Sequence, residues 1–455
     1  MTVDSISIRP ASERPAVSTL PAVRIGLLGL GTVGGGTVTV LRRNADVITR
    51  RAGRSIEVVA ASARDINKAR PFDVAGIDLY ADPMDVVMRD DIDVIVELIG
   101  GTDPTKALVI AALERGKHVV TANKALIALH GNEVFETAHG AGTMVAFEAA
   151  VAGSIPVIKA VREALSGNRV EWIAGIINGT CNYILTAMAD EGREFAEVLA
   201  EAQALGYAEA DPSFDIDGVD AAHKLTILAA IAFGIPLQFE HVYVEGIRHV
   251  SRMDVEYARR LGYRIKHIGL ARQRPDGIEL RVHPTLLPNR QMLANVNGVM
   301  NAVMINADAA GPTLYYGAGA GAEPTASSVV ADIVDVVRAL TGDPENRVPH
   351  LAFQPHALAS APILDMAEVA TSYYLRLGVA DEPGVLADVT RILGDHGISI
   401  EAILQQEPDD GARSVPVIIL THLVVERAMN DAITEIEALA QVDEPVVRIR
   451  MEPLA

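Results

Sequence analysis

Short, nearly continuous apolar runs alternate with amphipathic stretches through the first third of the chain. VRIGLL at residues 23–28 breaks into glycines and then an amphipathic run, and IEVVAASARD, IDVIVELIGG and KHVVTANK repeat the cycle through Phe147, with a helix expected over Thr105–Arg115. Runs of this length, bounded by turn residues and separated by helical periodicity, predict a parallel sheet wound by helices on both faces. The alternation stops near residue 153. FEAAVAGSIPVIKAVREAL leaves this α/β unit through a Gly-Ser-Ile-Pro turn, and RVEWIAGIINGTCNYILTAMADEG opens an α+β domain with a strand, an Asn-Gly turn and a helix. Further on, Leu225 to Phe233 contains one polar residue, Thr226, so a helix over Gly218–Gly234 should be buried all round. After a Pro- and Ala-rich stretch, the final segments read strand, Asp-Glu-Pro-Gly turn, helix, strand, strand, helix (Glu426–Ala440), strand. That order, βαββαβ, predicts a ferredoxin-like domain. The expected division is a loose Ser- and Pro-rich tail at 1–20, an α/β domain at 21–153, an α+β domain at 154–344, a linker at 345–368 and the βαββαβ domain at 369–455.

Composition narrows the function classes. A chain of 455 residues exceeds what one core supports, and 49% hydrophobic with 22% charged residues describes an ordinary globular protein. The formal charge of −20 gives no electrostatic footprint for nucleic acid or anionic lipid, and neither is expected as a partner. Cys181 is the one cysteine, which excludes intramolecular disulfides and fits a reducing cytoplasm. No apolar run reaches the ~18 residues of a membrane span, and the first residues lack a signal-type apolar core.

Gly29, Gly31 and Gly34 form G-x-G-x-x-G between a strand and a helix that opens at Thr32 and Val33. The first glycine allows the tight turn, the second lets a pyrophosphate approach the backbone, and the third lets helix pack on strand, with the helix N-terminus meeting the phosphate charge. A Rossmann-type dinucleotide-binding domain is therefore expected. NAD-selective sites place an acid at the end of the second strand, but this one ends in Ser62, Ala63 and Arg64, with Lys68 beyond, so NADP is favoured and NAD stays the alternative. Thr102, Asn123 and Lys124 follow later strands and are expected at the cofactor.

The stretch GYAEADPSFDIDGVDAAHKL places five carboxylates between residues 206 and 225. Asp220 and Lys224 stand one helical turn apart on the stripe that continues to Leu228 and Ile231. On a surface such a pair is worth only ~0.3–0.5 kcal/mol, but at the mouth of a buried helix it reads as functional. Glu209, Asp211 and Asp215 lie on a Pro-containing loop that can fold over the same mouth. Acids near Lys224 are expected to favour its charged form.

Together GLGTVG, VIVELIGG, GKHVVTANKALIA, EAAVAGSIP, INGTCNYIL, LGYAEADPSFDIDGVDAAHKL and GAGAGAEPTASSVVAD resemble the homoserine dehydrogenase family, in order across residues 22–340. The resemblance implies interconversion of L-homoserine and L-aspartate 4-semialdehyde with NAD(P)(H), in threonine, methionine and isoleucine synthesis, by a homodimer or homotetramer. It implies that Lys224 transfers the proton, Asp220 orients it, Lys124 bridges cofactor and substrate, Glu209 and Asp215 hold the substrate amino group, and Thr180 and Tyr207 line the site. It further implies a sodium-like cation on the backbone carbonyls of Glu148, Val151, Gly153 and Ile155, and a helix at 323–342 returning to the nucleotide domain with Gly321 near the cofactor. The lead-in to that helix could equally be a second phosphate loop. Cys181 leaves a rival, a cysteine-dependent semialdehyde dehydrogenase, and the whole chain could instead be a non-catalytic amino-acid sensor. The C-terminal domain, with D-x-P-G-x-L at Asp381–Leu386, resembles an ACT domain; this implies L-threonine as effector near Asp381 and Gly384, and a regulatory unit removable by truncation after about residue 365.

Overall fold

The computed structural model describes residues 20–405 and 414–454; the expected tail lies outside them but for Leu20. Among the described residues no helix is long and apolar enough to cross a membrane. The chain divides into two compact units, residues 1–123, 133–147 and 321–347 in the first, and 124–132, 148–320 and 348–455 in the second.

The first unit holds six parallel strands, β1 (Val23–Leu28), β2 (Ile56–Ser62), β3 (Asp78–Tyr80), β4 (Val94–Glu97), β5 (His118–Thr121) and β6 (Val145–Ala146), in the order β3-β2-β1-β4-β5-β6. Every residue of β4 is buried, as expected of a central strand covered on both faces. The order reverses between β1 and β4, so the crevice at their carboxyl ends is the expected ligand position. The helix Ala322–Ala339 belongs to this unit and packs on the helix Thr32–Arg43. They approach so closely that a Cβ on Gly36 would lie 2.4 Å from the carbonyl oxygen of Ala322. A two-pronged Arg43–Glu323 pair, at 2.7 and 3.0 Å, closes the same contact.

The second unit is built on one mixed sheet of β7 (Val170–Ile176), β8 (Tyr243–Val244), β9 (Tyr263–Arg274), β10 (Gly277–Pro288), β11 (Met300–Ala307), β12 (Gly311–Ala318), β13 (Ala370–Ala380), β14 (Ile400–Gln405), β15 (Ser414–Thr421), β16 (Val424–Val425) and β17 (Val447–Met451). Its main path runs β12-β11-β7-β9-β10-β17-β13-β15-β14. The last four are the ferredoxin-like βαββαβ domain, with helices Val385–Asp395 and Glu426–Glu437 on one face. β17 pairs antiparallel with β13 on one side and parallel with β10 on the other, which makes the two domains one sheet. Tyr374, Ile418, Leu420, Ile449 and Met451, on the other face, share a core with Ile184, Leu185, Val255 and Ile265.

Buried charges reinforce that seam. Arg450 of β17 is fully buried and bonds Glu426 of its own domain (2.9 Å) together with Glu245 (2.7 Å) and the Tyr243 hydroxyl (2.9 Å) beside β10. Glu452 takes Arg272 (3.0 Å) and Arg281, and Asp254 accepts from Arg376 (2.7 Å) and the Tyr374 hydroxyl (3.1 Å). The expectation of a unit that can be cut away after residue 365 does not survive this arrangement. Truncation would strip Asp254, Glu245 and Arg281 of partners and open a core face, whereas sequence showed only the linker. We expect a chain ending at residue 365 to aggregate or melt without cooperativity, and Arg450→Ala to lose ~3–5 kcal/mol in denaturant unfolding, because it takes a guanidinium partner from buried Glu426 and half-buried Glu245 at once. A soluble, cooperatively melting truncated chain would contradict the seam.

Candidate active site

In the first unit the glycine motif is shaped by close approach. Gly29 has φ +103°, and a Cβ on Gly34 would lie 2.1 Å from the Gly29 carbonyl oxygen. A Cβ on Gly31 would meet nothing within 4 Å, so the backbone from Gly31 into Thr32 and Val33, the first turn of its helix, is open to a ligand. These residues fit a dinucleotide pyrophosphate at a helix N-terminus. Arg64 is exposed two residues beyond β2, and the loop carrying it and Lys68 is braced by Arg70, which donates to the carbonyls of Asp65 (2.7 Å) and Lys68 (2.9 Å). Thr102 is half-buried beyond β4. Asn123 donates to the Gly101 carbonyl (2.6 Å), which ties the loops after β4 and β5 together. Gly321, at φ +134°, immediately precedes the helix that packs beside Gly36.

In the second unit the acidic window folds around one carboxylate. Asp220 begins the helix Val219–Phe233, which is buried from Asp220 to Ala232 as its composition demands. One oxygen of Asp220 lies 3.1 Å from Lys124 Nζ; the other accepts from Lys224 Nζ (2.7 Å) and from Asn178 Nδ2 (2.8 Å). Lys224 also donates to the Ile177 carbonyl (2.7 Å). The lysines differ in access: the Lys124 side chain is 33% exposed and that of Lys224 only 11%. Asp215 accepts from Asn178 Nδ2 (2.8 Å), with the Thr180 hydroxyl 3.5 Å away at its other oxygen.

The five acids take different tasks. Glu209 is exposed, and its charge helps raise the Lys124 pKa. Asp211 accepts the Ser213 N–H (3.1 Å), and Asp217 pairs with Arg248 (3.0 Å), so both shape the loop. Tyr207 is exposed with its ring edge-on to Tyr183 at 5.0 Å, and its carbonyl accepts the Thr180 hydroxyl (2.6 Å). Sequence reasoning missed Asn178, reading it only as a turn residue. It is the N-cap of the helix Gly179–Glu191, its side-chain oxygen accepting the Cys181 N–H (2.8 Å) while its amide joins Asp215 to Asp220. An Asn before a helix signals the cap, but nothing local signals carboxylates 37 and 42 residues away.

Electrostatics correct one expectation. Asp220 is held well below the usual carboxylate range by the two ammonium groups, burial opposing. Lys224 is nevertheless pushed down from the ordinary lysine value, because burial and the charge of Lys124 outweigh the attraction of Asp220. Lys124 is raised, chiefly by Asp220. Neighbouring acids are visible along the chain; the loss of water around Lys224 is a property of the fold. Of the two ammonium groups on Asp220, that of Lys224 holds its proton less tightly. Burial and the Asp220 anion raise Asp215. His223, between the rings of Phe214 and Phe239, is pushed by burial down to about 4 and stays neutral.

The Cys181 thiol is fully buried and donates to the Asp215 carbonyl (3.2 Å). Burial and the nearby acids push its pKa well up, the reverse of what a nucleophilic cysteine needs. In the turn after β6, Glu148 turns its carboxylate onto the N–H groups of Ile158 (2.8 Å) and Lys159 (2.9 Å). Val151 and Ala152 are fully buried, Ala152 and Gly153 both lie at φ 55°, and the Ile155 N–H bonds the Ala152 carbonyl (3.0 Å). No group of three or more His, Cys, Asp or Glu suited to a metal occurs among the described residues; a cation in this turn would need carbonyl ligands. Asp381 and Gly384 line a cavity of about 450 Å³ with Glu382, Leu386 and Gln405, at the start of the helix Val385–Asp395.

Comparison with known proteins places this geometry in a family. Residues 29–148 match the model for the homoserine dehydrogenase NAD-binding domain, 156–334 that for homoserine dehydrogenase, and 373–441 that for the ACT domain. Over 432 residues the chain is 62% identical to homoserine dehydrogenase of Pseudomonas aeruginosa, covering 95% of this chain and 99% of that one. The chain belongs to the homoserine dehydrogenase family. A solved homoserine dehydrogenase from Thiobacillus denitrificans superposes with a TM-score of 0.91 at 61% identity, over 96% of this chain and 99% of that one. A hyperthermophilic archaeal homoserine dehydrogenase, solved in complex with NADPH, matches with a TM-score of 0.59 at 26% identity, over 70% of this chain and 98% of that one. An oxidoreductase with a nicotinamide-binding domain and an ACT domain follows from these matches.

Proposed function

We propose that the chain interconverts L-homoserine and L-aspartate 4-semialdehyde, supplying threonine, methionine and isoleucine synthesis in the cytoplasm. The observation that carries this is Asp220 shared between Lys124 and Lys224. A nicotinamide cofactor, when bound, takes or delivers the hydride. Lys224 Nζ then takes the hydroxyl proton during oxidation, or supplies a proton to the forming alkoxide during reduction, which an adjacent ammonium also stabilises. Asp220 fixes the direction of both ammonium groups. Asp215 and Glu209 are the anions for the substrate α-ammonium, with Thr180 and Tyr207 beside them. Asp215, raised by burial and the Asp220 anion, gains most from such a cation.

NADP is the favoured form: Arg64 and Lys68 are exposed where an acid would select NAD, and the archaeal relative was solved with NADPH. The buried turn with consecutive left-handed residues suits a sodium-like ion on the carbonyls of Glu148, Val151, Gly153 and Ile155. The cavity at Asp381 and Gly384 is offered as the place of an amino-acid effector, L-threonine, bound at the helix start.

Four measurements test these assignments. Lys224→Ala should lower turnover of L-homoserine, followed at 340 nm, by ~10²–10⁴-fold while calorimetry still detects cofactor binding. Because Lys224 acts as a base only when neutral, oxidation in the wild type should rise with pH and level off above a pKa lower than that of an ordinary lysine, and reduction should fall over the same interval; near-normal turnover in the variant defeats the role. Arg64→Ala should erase a lower KM for NADP than for NAD, and a wild-type preference for NAD would refute the cofactor assignment. Millimolar L-threonine should inhibit, and Asp381→Ala should raise the concentration required by about tenfold, ~1.4 kcal/mol; absence of both inhibition and calorimetric binding assigns the cavity to another ligand.

A further inference from the structure

The crevice of the first unit contains a charge that the assignments above do not use. Glu97 is the last residue of β4 and is fully buried. In register it lies between Leu28 of β1, which immediately precedes the glycine motif, and Thr121 of β5. It thus stands at the point where the strand order reverses, the position at which parallel sheets of this type receive ligands. One carboxylate oxygen accepts the N–H groups of Ile99 (2.8 Å) and Gly100 (3.0 Å), and the other accepts the Thr121 hydroxyl (2.6 Å). The Thr121 oxygen in turn accepts the Asn123 N–H (3.0 Å). The N–H groups of Ile99 and Gly100 are fixed donors, a set that suits a carboxylate, and the Asn123 side chain also bonds Glu97.

Among the described residues, no lysine, arginine or histidine forms an ion pair with Glu97. Buried charges are ordinarily paired, and amide dipoles offset only part of the cost of taking an anion out of water. Burial accordingly raises the pKa of Glu97 while the donors oppose it. A buried anion with donors in place and no cation calls for a cationic ligand. Of the two redox states of a nicotinamide, the oxidised ring is cationic and the reduced ring is neutral.

We propose that Glu97 is the protein's counter-charge to the oxidised nicotinamide ring, a positioning residue that shapes the loop after β4 and biases the site toward the oxidised cofactor. It rests on the nicotinamide cofactor of the family and is independent of the choice between NADP and NAD. A residue that only braced the loop would change affinity for both redox states equally; a counter-charge changes one of them.

The test is cofactor binding to the full chain, measured by calorimetry and by reduced-nicotinamide fluorescence, for NADP+ with NADPH and for NAD+ with NADH. Glu97→Gln, which keeps the shape and removes the charge, should weaken the oxidised forms by about tenfold or more, as expected of a charge pair within ~10 Å at an effective dielectric near ~20. The reduced forms should change by less than about twofold, near the ~0.5 kcal/mol scatter of minor substitutions. Glu97→Asp, which keeps the charge, should leave the ratio of oxidised to reduced affinity at its wild-type value even where both fall. The wild-type chain supplies a measurement that needs no variant: it should bind NAD+ about tenfold more tightly than the benzamide isostere of NAD+, whose ring has the same outline and no charge. Equal losses for both redox states in Glu97→Gln, or equal affinity of the wild type for NAD+ and its neutral isostere, would overturn the proposal and leave Glu97 a brace for the loop.

Discussion

A single buried carboxylate, that of Asp220, sets the arrangement of the catalytic unit. Its two oxygens take two ammonium groups and one amide, from the segments at Lys124, Lys224 and Asn178. Burying charges is costly unless each finds a partner, and here each lysine finds the same one. The helix around Asp220 excludes water so thoroughly that the lysine on its closed side holds its proton less firmly than an ordinary lysine, while the one on the open side holds its own more firmly. The two chemically identical side chains differ in proton affinity because burial weighs most on Lys224 and attraction to Asp220 weighs most on Lys124.

The same economy of partners recurs at the ACT seam. Arg450 joins Glu426 of the ACT domain to Glu245 beside β10. Two residues beyond Glu245, the Ile247 N–H bonds the Ile216 carbonyl (2.9 Å), and Arg248 holds Asp217, so this segment braces the turn that carries Asp215. The ACT sheet and the acidic loop are therefore connected through paired strands and buried ion pairs.

Much of this could be read along the chain because it is periodic or local. Strand and helix alternation, the spacing of Gly29, Gly31 and Gly34, the all-round apolar helix ending at Phe233 and the i, i+4 placement of Asp220 and Lys224 are properties of neighbouring residues. The limits of the helices were nearly readable too: the one expected over Gly218–Gly234 runs from Val219 to Phe233, between two glycines in the left-handed conformation. The family resemblance rested on the same kind of signal, long local matches in a fixed order.

What the chain alone could not show depended on residues far apart in it. Asn178 reads as a turn until the fold brings Asp215 and Asp220 to its amide. The ACT domain reads as a separable module until β17, the last strand of the chain, is found between β13 and β10. The proton affinity of Lys224 is not legible along the chain, because attraction to an acid four residues away is visible in sequence, whereas removal of water is a property of everything packed around it. Local pattern determined the elements and named the charged groups; the tertiary structure decided which of those groups lost their water, and with it which lysine gives up its proton more easily.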